Sequence, residues 1–255
     1  MAVNFATIDK LIEEGFLMDS RFNSPAEIAS LVSKSGVTKS MLSLPKMILL
    51  GLMAGAFIAF GGAASDVAMH GVADVGLARV VAGVIFPVGL MLVVFTGSEL
   101  FTGNCLMIIP TLEKKIKVAS MLRNLVVVYI SNFVGAMIID LLITFSGQLN
   151  YSNGGLGAFT IKVALAKTTI NPATAIISGI LCNILVCLAI VMATGATDAI
   201  GKIFGVFFPI CAFVVCGFEH CVANMFYIPI GVMAAMNPEY VAKAQELYDI
   251  TAQQC

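Results

Sequence analysis

The sequence contains no tryptophan, only two histidines and few charged side chains, with 11% Asp, Glu, Lys and Arg. Soluble globular domains carry about 25% charged residues, so this composition excludes an ordinary soluble domain. The formal net charge of −1 shows no basic excess and excludes a nucleic-acid-binding surface. Six of the seven cysteines lie in apolar runs without C-x-x-C pairs, which predicts packing residues, no metal site and no cofactor.

Long apolar runs take the place of the missing charge. Hydrophobic residues make up 59% of the chain, and the mean hydropathy is +0.99. Charge-free runs cover 47–65, 80–98, 125–139 with a continuation to 147, and 170–197. A fifth apolar region, 203–236, is interrupted only by Glu219 and His220. Since about 20 apolar residues cross a bilayer, the sequence predicts an all-α, polytopic membrane protein.

Residues 1–43 are predicted to form a cytoplasmic segment, and 44–255 a transmembrane domain. The first 40 residues carry charges throughout and lack the apolar core of a signal peptide. Ser24, Pro25 and Glu27 predict a surface helix that begins with a capping box. A cytoplasmic N-terminus would place ten Lys and Arg residues inside and four outside, which favours that orientation in the cytoplasmic (inner) membrane.

Two similar motifs interrupt the apolar segments, "GSELFTGN" at 97–104 and "GFEHCVAN" at 217–224. Three residue pairs match at an offset of 120: Gly97 with Gly217, Glu99 with Glu219, and Asn104 with Asn224. Counted from a cytoplasmic N-terminus, the first copy runs inward and the second outward. We therefore predict an inverted repeat of three plus three segments, about 44–147 and 170–255, with two broken helices.

Each break should leave a half-helix whose N-terminus faces the bilayer midplane, roughly 104–112 and 221–236. Two such ends favour an anion. Glu99 and Glu219 are expected to cap these half-helices, with a proton relay as the less favoured role. His220 has no counterpart in the first copy, and an intramembrane histidine predicts a pore function, by donating a hydrogen bond or a proton to a passing anion.

Four other polar residues stand out. Thr102 lies beside Gly103 in the first break, where its hydroxyl can replace water around an ion. Asn183 is a lone amide, either in the pore or in an interhelical hydrogen bond. Lys167 precedes the fourth segment, where it either attracts anions or is simply solvated. Asp140 is expected to snorkel or to bond at a helix interface.

Together, "GSELFTGN", "CNILVCLAIVM", "GFEHCVANMFYIPIG" and the N-terminal helix resemble the formate/nitrite transporter family, across essentially all of the chain. The resemblance implies a homopentamer of aquaporin-like protomers, each with its own pore, around a lipid-plugged or occluded fivefold axis. Within the family the chain looks most like the hydrosulfide channel. After Met236 the sequence is polar and amphipathic, so we expect the last helix of the second repeat to be missing.

The resemblance also assigns residues. His220 is the central histidine and Thr102 the threonine of the loop between the half-helices. The outer constriction comprises Phe86, Phe101 and Val186, and the inner one comprises Leu90, Leu100 and Phe213. Asn183 and Asn224 line or support the region between them, and Lys167 polarises the pore.

These features predict a channel for small monovalent anions, hydrosulfide first and also formate and nitrite, and not an enzyme. The alternative is a proton-coupled formate or nitrite transporter. An aquaporin-type channel would carry N-P-A at both breaks, and an ammonium channel would need paired histidines. An intramembrane hydrolase would need a pair such as Ser98 and His220, but "TGSEL" lacks the motif glycine after the serine.

Overall fold

The computed structural model of the chain describes residues 22–251, so the first part of the predicted cytoplasmic segment lies outside the described residues. The described part is helical, and the only extended pairing within it is an isolated bridge between Phe22 and Ala196. The helices are α1 (Pro25–Ser40), α2 (Leu44–Met69), α3 (Val75–Ile85), α4 (Val88–Thr96), α5 (Phe101–Asn104), α6 (Ile108–Leu112), α7 (Val118–Ser146), α8 (Gly155–Thr168), α9 (Pro172–Gly195), α10 (Ala199–Cys216), α11 (Cys221–Ala235) and α12 (Pro238–Tyr248). The predicted all-α fold is confirmed.

Helix α1 begins as its sequence predicts. The Ser24 backbone N–H donates to Glu27 Oε2 at 2.7 Å, and the Glu27 N–H donates to Ser24 Oγ at 3.4 Å. Both halves of the capping box are therefore present, with Pro25 in the first turn.

Five stretches of the described chain are long and apolar enough to cross a membrane: Leu44–Met69, Val75–Thr96, Val118–Ser146, Pro172–Gly195 and Ala199–Cys216. The second comprises α3 and α4, which meet at Phe86 and Pro87. Helices α11 and α12 bend by 108° relative to each other and add a sixth crossing only if they are counted as one span. The expected absence of a last helix stays a prediction.

Both predicted helix breaks are present and alike. Gly97 ends α4 and Gly217 ends α10, each in the left-handed conformation that glycine tolerates best. The next half-helices begin at Phe101 and Cys221. The first starts three residues before the expected Asn104, because Leu100 is the last extended residue, and it continues through a 3₁₀ turn at 105–107 to Leu112.

Small residues allow the long helices to approach closely. A Cβ atom on Gly55 of α2 would collide with the Asn132 carbonyl of α7, and one on Gly135 would collide with the Leu52 carbonyl. Gly62 likewise makes room for the Phe226 ring of α11. Helices α2, α7 and α11 therefore pack closely against one another beside the two breaks.

Candidate functional site

The two breaks meet at a contact between Thr102 and His220. Thr102 Oγ1 lies 3.2 Å from His220 Nε2, although the residues are 118 apart in sequence. Both side chains are buried, with exposed fractions of 3% and 4%. The contact joins the first turn of α5 to the residue that precedes α11, so the positive ends of both half-helices converge here, as the repeat predicts.

His220, and not Glu219, caps the second half-helix. The Ala223 backbone N–H donates to His220 Nδ1 at 3.0 Å, and His220 has the extended backbone of an N-cap residue. Because Nδ1 accepts this hydrogen bond, the proton of the neutral ring lies on Nε2, which faces Thr102. The expected assignment of the cap to Glu219 was therefore wrong, because His220 fills that position.

The first half-helix is capped from another segment. Asn132 of α7 accepts a hydrogen bond from the Phe101 N–H at 3.0 Å, and its amide donates to the carbonyl oxygens of Gly51 and Glu99 at 2.8 and 2.9 Å. Leu100, at the N-cap position, offers no side-chain hydrogen bond. The expected capping by Glu99 was therefore also wrong. An amide within the apolar run "YISNFVG" was the available sequence signal for Asn132.

Glu219 instead belongs to a partly buried ion pair. Lys167 Nζ lies 2.7 Å from Glu219 Oε1, and Asn224 Nδ2 donates to Glu219 Oε2 at 2.8 Å. The Glu219 backbone N–H donates to Ser178 Oγ at 2.9 Å. We call Lys167, Glu219 and Asn224 the Lys167 cluster. Lys167, which the sequence predicts either to attract anions or to be solvated, therefore lies directly beside the second break.

A matching group, the Lys39 cluster, occupies the other repeat. Lys39 Nζ lies 2.6 Å from Glu99 Oε1 and 2.8 Å from Asn104 Oδ1, and Asn104 Nδ2 donates to Glu99 Oε2 at 2.7 Å. Sequence reasoning missed Lys39. The available signal was its position, since Lys39 and Lys167 each occupy the last turn of the helix that precedes a long apolar span.

A cavity of about 480 Å³ opens beside the Lys167 cluster, and we call it the Lys167 vestibule. Its polar lining includes Asp66, Arg79, Lys167, Glu219, His220 and Asn224. Phe86 and Phe213 also line it, with their ring centroids 5.6 Å apart in an edge-to-face arrangement. Phe213 in turn stacks on the His220 ring at 5.7 Å, so the aromatic pair adjoins the Thr102–His220 contact, and His220 itself lines the same vestibule.

The structure also shows the surroundings of the residues assigned to the two expected constrictions, which stay predictions. Phe213, of the expected inner set, packs against Phe86 of the expected outer set, whereas Phe101 packs against Tyr129 of α7 at 4.9 Å. Phe101 is the first residue of α5. Its ring lies against α7 and does not line the Lys167 vestibule. The remaining members of the predicted sets, Leu90, Leu100 and Val186, are all buried.

A second cavity of about 580 Å³ lies on the other side of Thr102, lined by Asn183 and four cysteines, Cys105, Cys182, Cys187 and Cys221. Asn183 Nδ2 donates to Cys187 Sγ at 3.7 Å, and Cys187 Sγ donates to the Thr102 carbonyl at 3.7 Å. Asn183 therefore acts on the Thr102 backbone through a thiol. Residues 22–251 contain no cluster of His, Cys, Asp or Glu suited to a metal ion.

Asp140 and Ser98 are two further polar residues that the sequence singles out. Asp140 is fully buried, and neither carboxyl oxygen has a hydrogen-bond partner, so it neither snorkels nor bonds at an interface. Ser98 Oγ lies 2.7 Å from Thr96 Oγ1, whereas His220 binds Thr102 and Ala223. The Ser98–His220 pair that a hydrolase would need is therefore not formed.

The profile of the formate/nitrite transporter family matches residues 26–253. A probable formate transporter of Methanothermobacter thermautotrophicus is 42% identical, over 84% of this chain and 85% of that protein. The formate channel BtFdhC of Bacillus thuringiensis is 40% identical, over 84% and 83%.

Solved structures agree with the sequence relatives. A pentameric formate channel with formate bound superposes with a TM-score of 0.72 and 30% identity, over 83% of this chain and 86% of that one. An FNT family ion channel gives a TM-score of 0.72 and 25% identity, over 86% and 95%. The two broken helices, their meeting point and these likenesses lead to one conclusion: the chain belongs to the formate/nitrite transporter family.

Proposed function

We propose that the chain forms a membrane channel for small monovalent anions, with formate as the principal candidate and hydrosulfide and nitrite as further permeants. Formate precedes hydrosulfide because the named relatives are formate transporters and channels. The observation that carries the proposal is the Thr102–His220 contact, at which two half-helix N-termini converge between apolar walls. A pore of this kind offers hydrogen-bond donors to an anion and little to a cation.

The route begins in the Lys167 vestibule. Lys167 holds Glu219 in a neutral pair, and Arg79 adds an exposed positive charge to the lining. A positively charged concave surface raises the local concentration of anions and increases their rate of capture. In this proposal, an anion that moves from the vestibule toward Thr102 passes the Phe86–Phe213 pair, which lines the same cavity as His220. An apolar constriction excludes fully hydrated ions, so the anion sheds part of its water.

Beyond the aromatic pair, Thr102 and His220 replace the lost hydration. The Thr102 hydroxyl and the Nε2–H of neutral His220 are both donors at the meeting point of the half-helices. Protonation of Nδ1 would break the hydrogen bond from Ala223 and uncap α11. His220 therefore serves as a hydrogen-bond donor in this proposal. In the alternative, a proton-coupled transporter, the ring would lose that cap in every cycle.

The exit passes buried Leu100 and Val186 and reaches the Lys39 cluster. Lysine–glutamate pairs thus occupy matching positions in the two repeats, with apolar barriers between them. This arrangement suits a passive pore, in which the gradient of the anion across the membrane sets the direction of flux. We further propose a cytoplasmic N-terminus in the cytoplasmic membrane and a homopentamer with one pore per protomer and lipid at the fivefold axis. The solved pentameric relative supports that assembly.

The test is anion flux into proteoliposomes, measured separately with formate, nitrite and hydrosulfide. We expect His220→Ala and Thr102→Ala to lower flux by about tenfold or more, since each removes a donor at the dehydrated centre. His70→Ala is the matched control, because His70 binds Ser152 and the Val67 carbonyl away from the meeting point. Failure of all three anions to move, or equal losses in His70→Ala, would contradict the proposal.

A further inference from the structure

Asp66 is a buried carboxyl group that the proposed pathway leaves unexplained. It lies in the last turn of α2, is only 4% exposed and lines the Lys167 vestibule. Its Oδ2 atom has no hydrogen-bond partner among the described residues. The adjacent Ser65 hydroxyl binds the Gly62 carbonyl at 2.8 Å and the Tyr227 hydroxyl at 3.1 Å, so these groups do not satisfy the carboxyl.

No described cation forms an ion pair with Asp66. Lys167, which lines the same cavity, is held by Glu219 at 2.7 Å. An ionised Asp66 would therefore be a buried charge without a salt-bridge partner, an arrangement that proteins avoid by keeping the group neutral. The neutral acid has one O–H group, and because Asp66 lines the vestibule its carboxyl can offer that donor to a ligand there.

We propose that protonated Asp66 donates a hydrogen bond to the anion in the Lys167 vestibule, and that its ionisation impedes anion passage through this end of the pore. The inference rests on the proposed channel function. The proton stays on Asp66 throughout, so the step is hydrogen bonding and no proton is transferred. A permeant anion offers only acceptors and complements the acid form, whereas the carboxylate form repels it at short range.

Other charged and titratable groups face this region from the neighbouring elements. They are Arg79 of α3, Lys162 and Lys167 of α8, Glu219 and His220 at the second break, and Tyr227 of α11. Glu219 is paired, and His220 holds its cap through Nδ1. Asp140 is buried in α7 and does not line the vestibule, although its carboxyl is equally unpartnered. Asp66 is thus the unpaired carboxyl on the anion route.

The experiment measures formate influx into proteoliposomes as the pH on the vestibule side is raised, after subtraction of the flux into protein-free liposomes. We expect wild-type influx to fall by about tenfold as Asp66 ionises. Asp66→Asn keeps the shape and an N–H donor but cannot ionise, so its influx stays near the acid value at every pH. Asp66→Leu has neither charge nor donor, so its influx is low and independent of pH.

Asp140→Asn is the matched control, since it alters a buried, unpartnered carboxyl outside the vestibule. It should keep the wild-type pH profile. A wild-type profile in Asp66→Asn, or an equally flat profile in Asp140→Asn, overturns the inference while leaving the channel function intact. Absence of formate flux in the wild type refutes the proposed function itself. If Asp66→Asn fails to fold, Asp66→Thr supplies another uncharged donor for the same comparison.

Discussion

Gly97 and Gly217 adopt nearly the same backbone conformation, with φ and ψ of 67° and 28° at Gly97 and 72° and 29° at Gly217. The residues are 120 apart, and each ends the first half of a broken helix. In both, the following N–H closes back on the helix, from Ser98 to the Val93 carbonyl and from Phe218 to the Phe213 carbonyl. The repeat is therefore preserved in backbone geometry as well as in sequence.

Replacing either glycine with alanine should destabilise the fold by about 1 kcal/mol, because a Cβ atom is unfavourable in the left-handed region. A Cβ at Gly97 would meet no atom within 4 Å, whereas one at Gly217 would lie 2.8 Å from Arg79 Nη1. Since the arginine end can move aside, we expect similar losses in thermal unfolding temperature. A much larger loss for Gly97→Ala would contradict this account.

The Lys167–Glu219 pair predicts a strongly non-additive mutant cycle. The two side chains are 20% and 11% exposed, so removing one partner leaves the other charge largely buried. Lys167→Met should cost about 3 kcal/mol, and the double variant with Glu219→Gln should recover much of that loss. Thermal unfolding of the four proteins checks this. Additive losses would indicate that the ions do not depend on each other.

Glu113, in the loop after α6, predicts a small acid-sensitive contribution to stability. Hydrogen bonds from Lys115, at 2.8 Å, and from Ser33 lower the pKa of the Glu113 carboxyl below its ordinary value. The contribution is therefore fully present above the unfolded-state pKa and is lost as the pH falls through the lowered folded-state pKa.

The measurement is the unfolding temperature of wild type and Glu113→Gln across the acid range. We expect the two curves to converge at the lowest pH and to separate toward neutrality, with the wild type more stable. Glu27→Gln is not a suitable control because Glu27 belongs to the α1 capping box. Asp198→Asn is the comparison variant, because the Asp198 carboxylate accepts from the Gly201 N–H at the start of α10 and lies in a different part of the chain from Glu113. Parallel curves for Glu113→Gln and wild type would refute the contribution.

The repeat was predictable from sequence because each break needs the same residue types at the same spacing. A glycine must end the first half-helix, and a polar residue must tolerate the unsatisfied backbone beyond it. Gly97, Glu99 and Asn104 therefore identify Gly217, Glu219 and Asn224 without any structure. Thr102 and His220 follow, since both lie where the half-helices begin.

Side-chain direction was not predictable from the same pattern. Glu219 precedes a half-helix and is chemically able to cap it, but Lys167 draws its carboxylate away. That lysine lies on a different helix, so local sequence does not show the competition. The contact between Phe213 and Phe86 was missed for a similar reason, because it joins α10 to the end of α3. Tertiary partners decided both cases.

The two roles of His220 can be separated by substitution. Asparagine is a strong N-cap residue, so His220→Asn should keep the hydrogen bond from the Ala223 N–H while losing the Nε2–H donor that faces Thr102. His220→Ala loses both and should unfold more easily by about 1 kcal/mol. We therefore expect the two variants to share a low formate flux in proteoliposomes but to differ in unfolding temperature.

Wild-type flux in a well-folded His220→Asn would show that the imidazole acts only as a cap. Equal unfolding temperatures for His220→Asn and His220→Ala would instead show that the cap contributes nothing, and the argument for a neutral, Nε2-protonated ring would lose its structural basis.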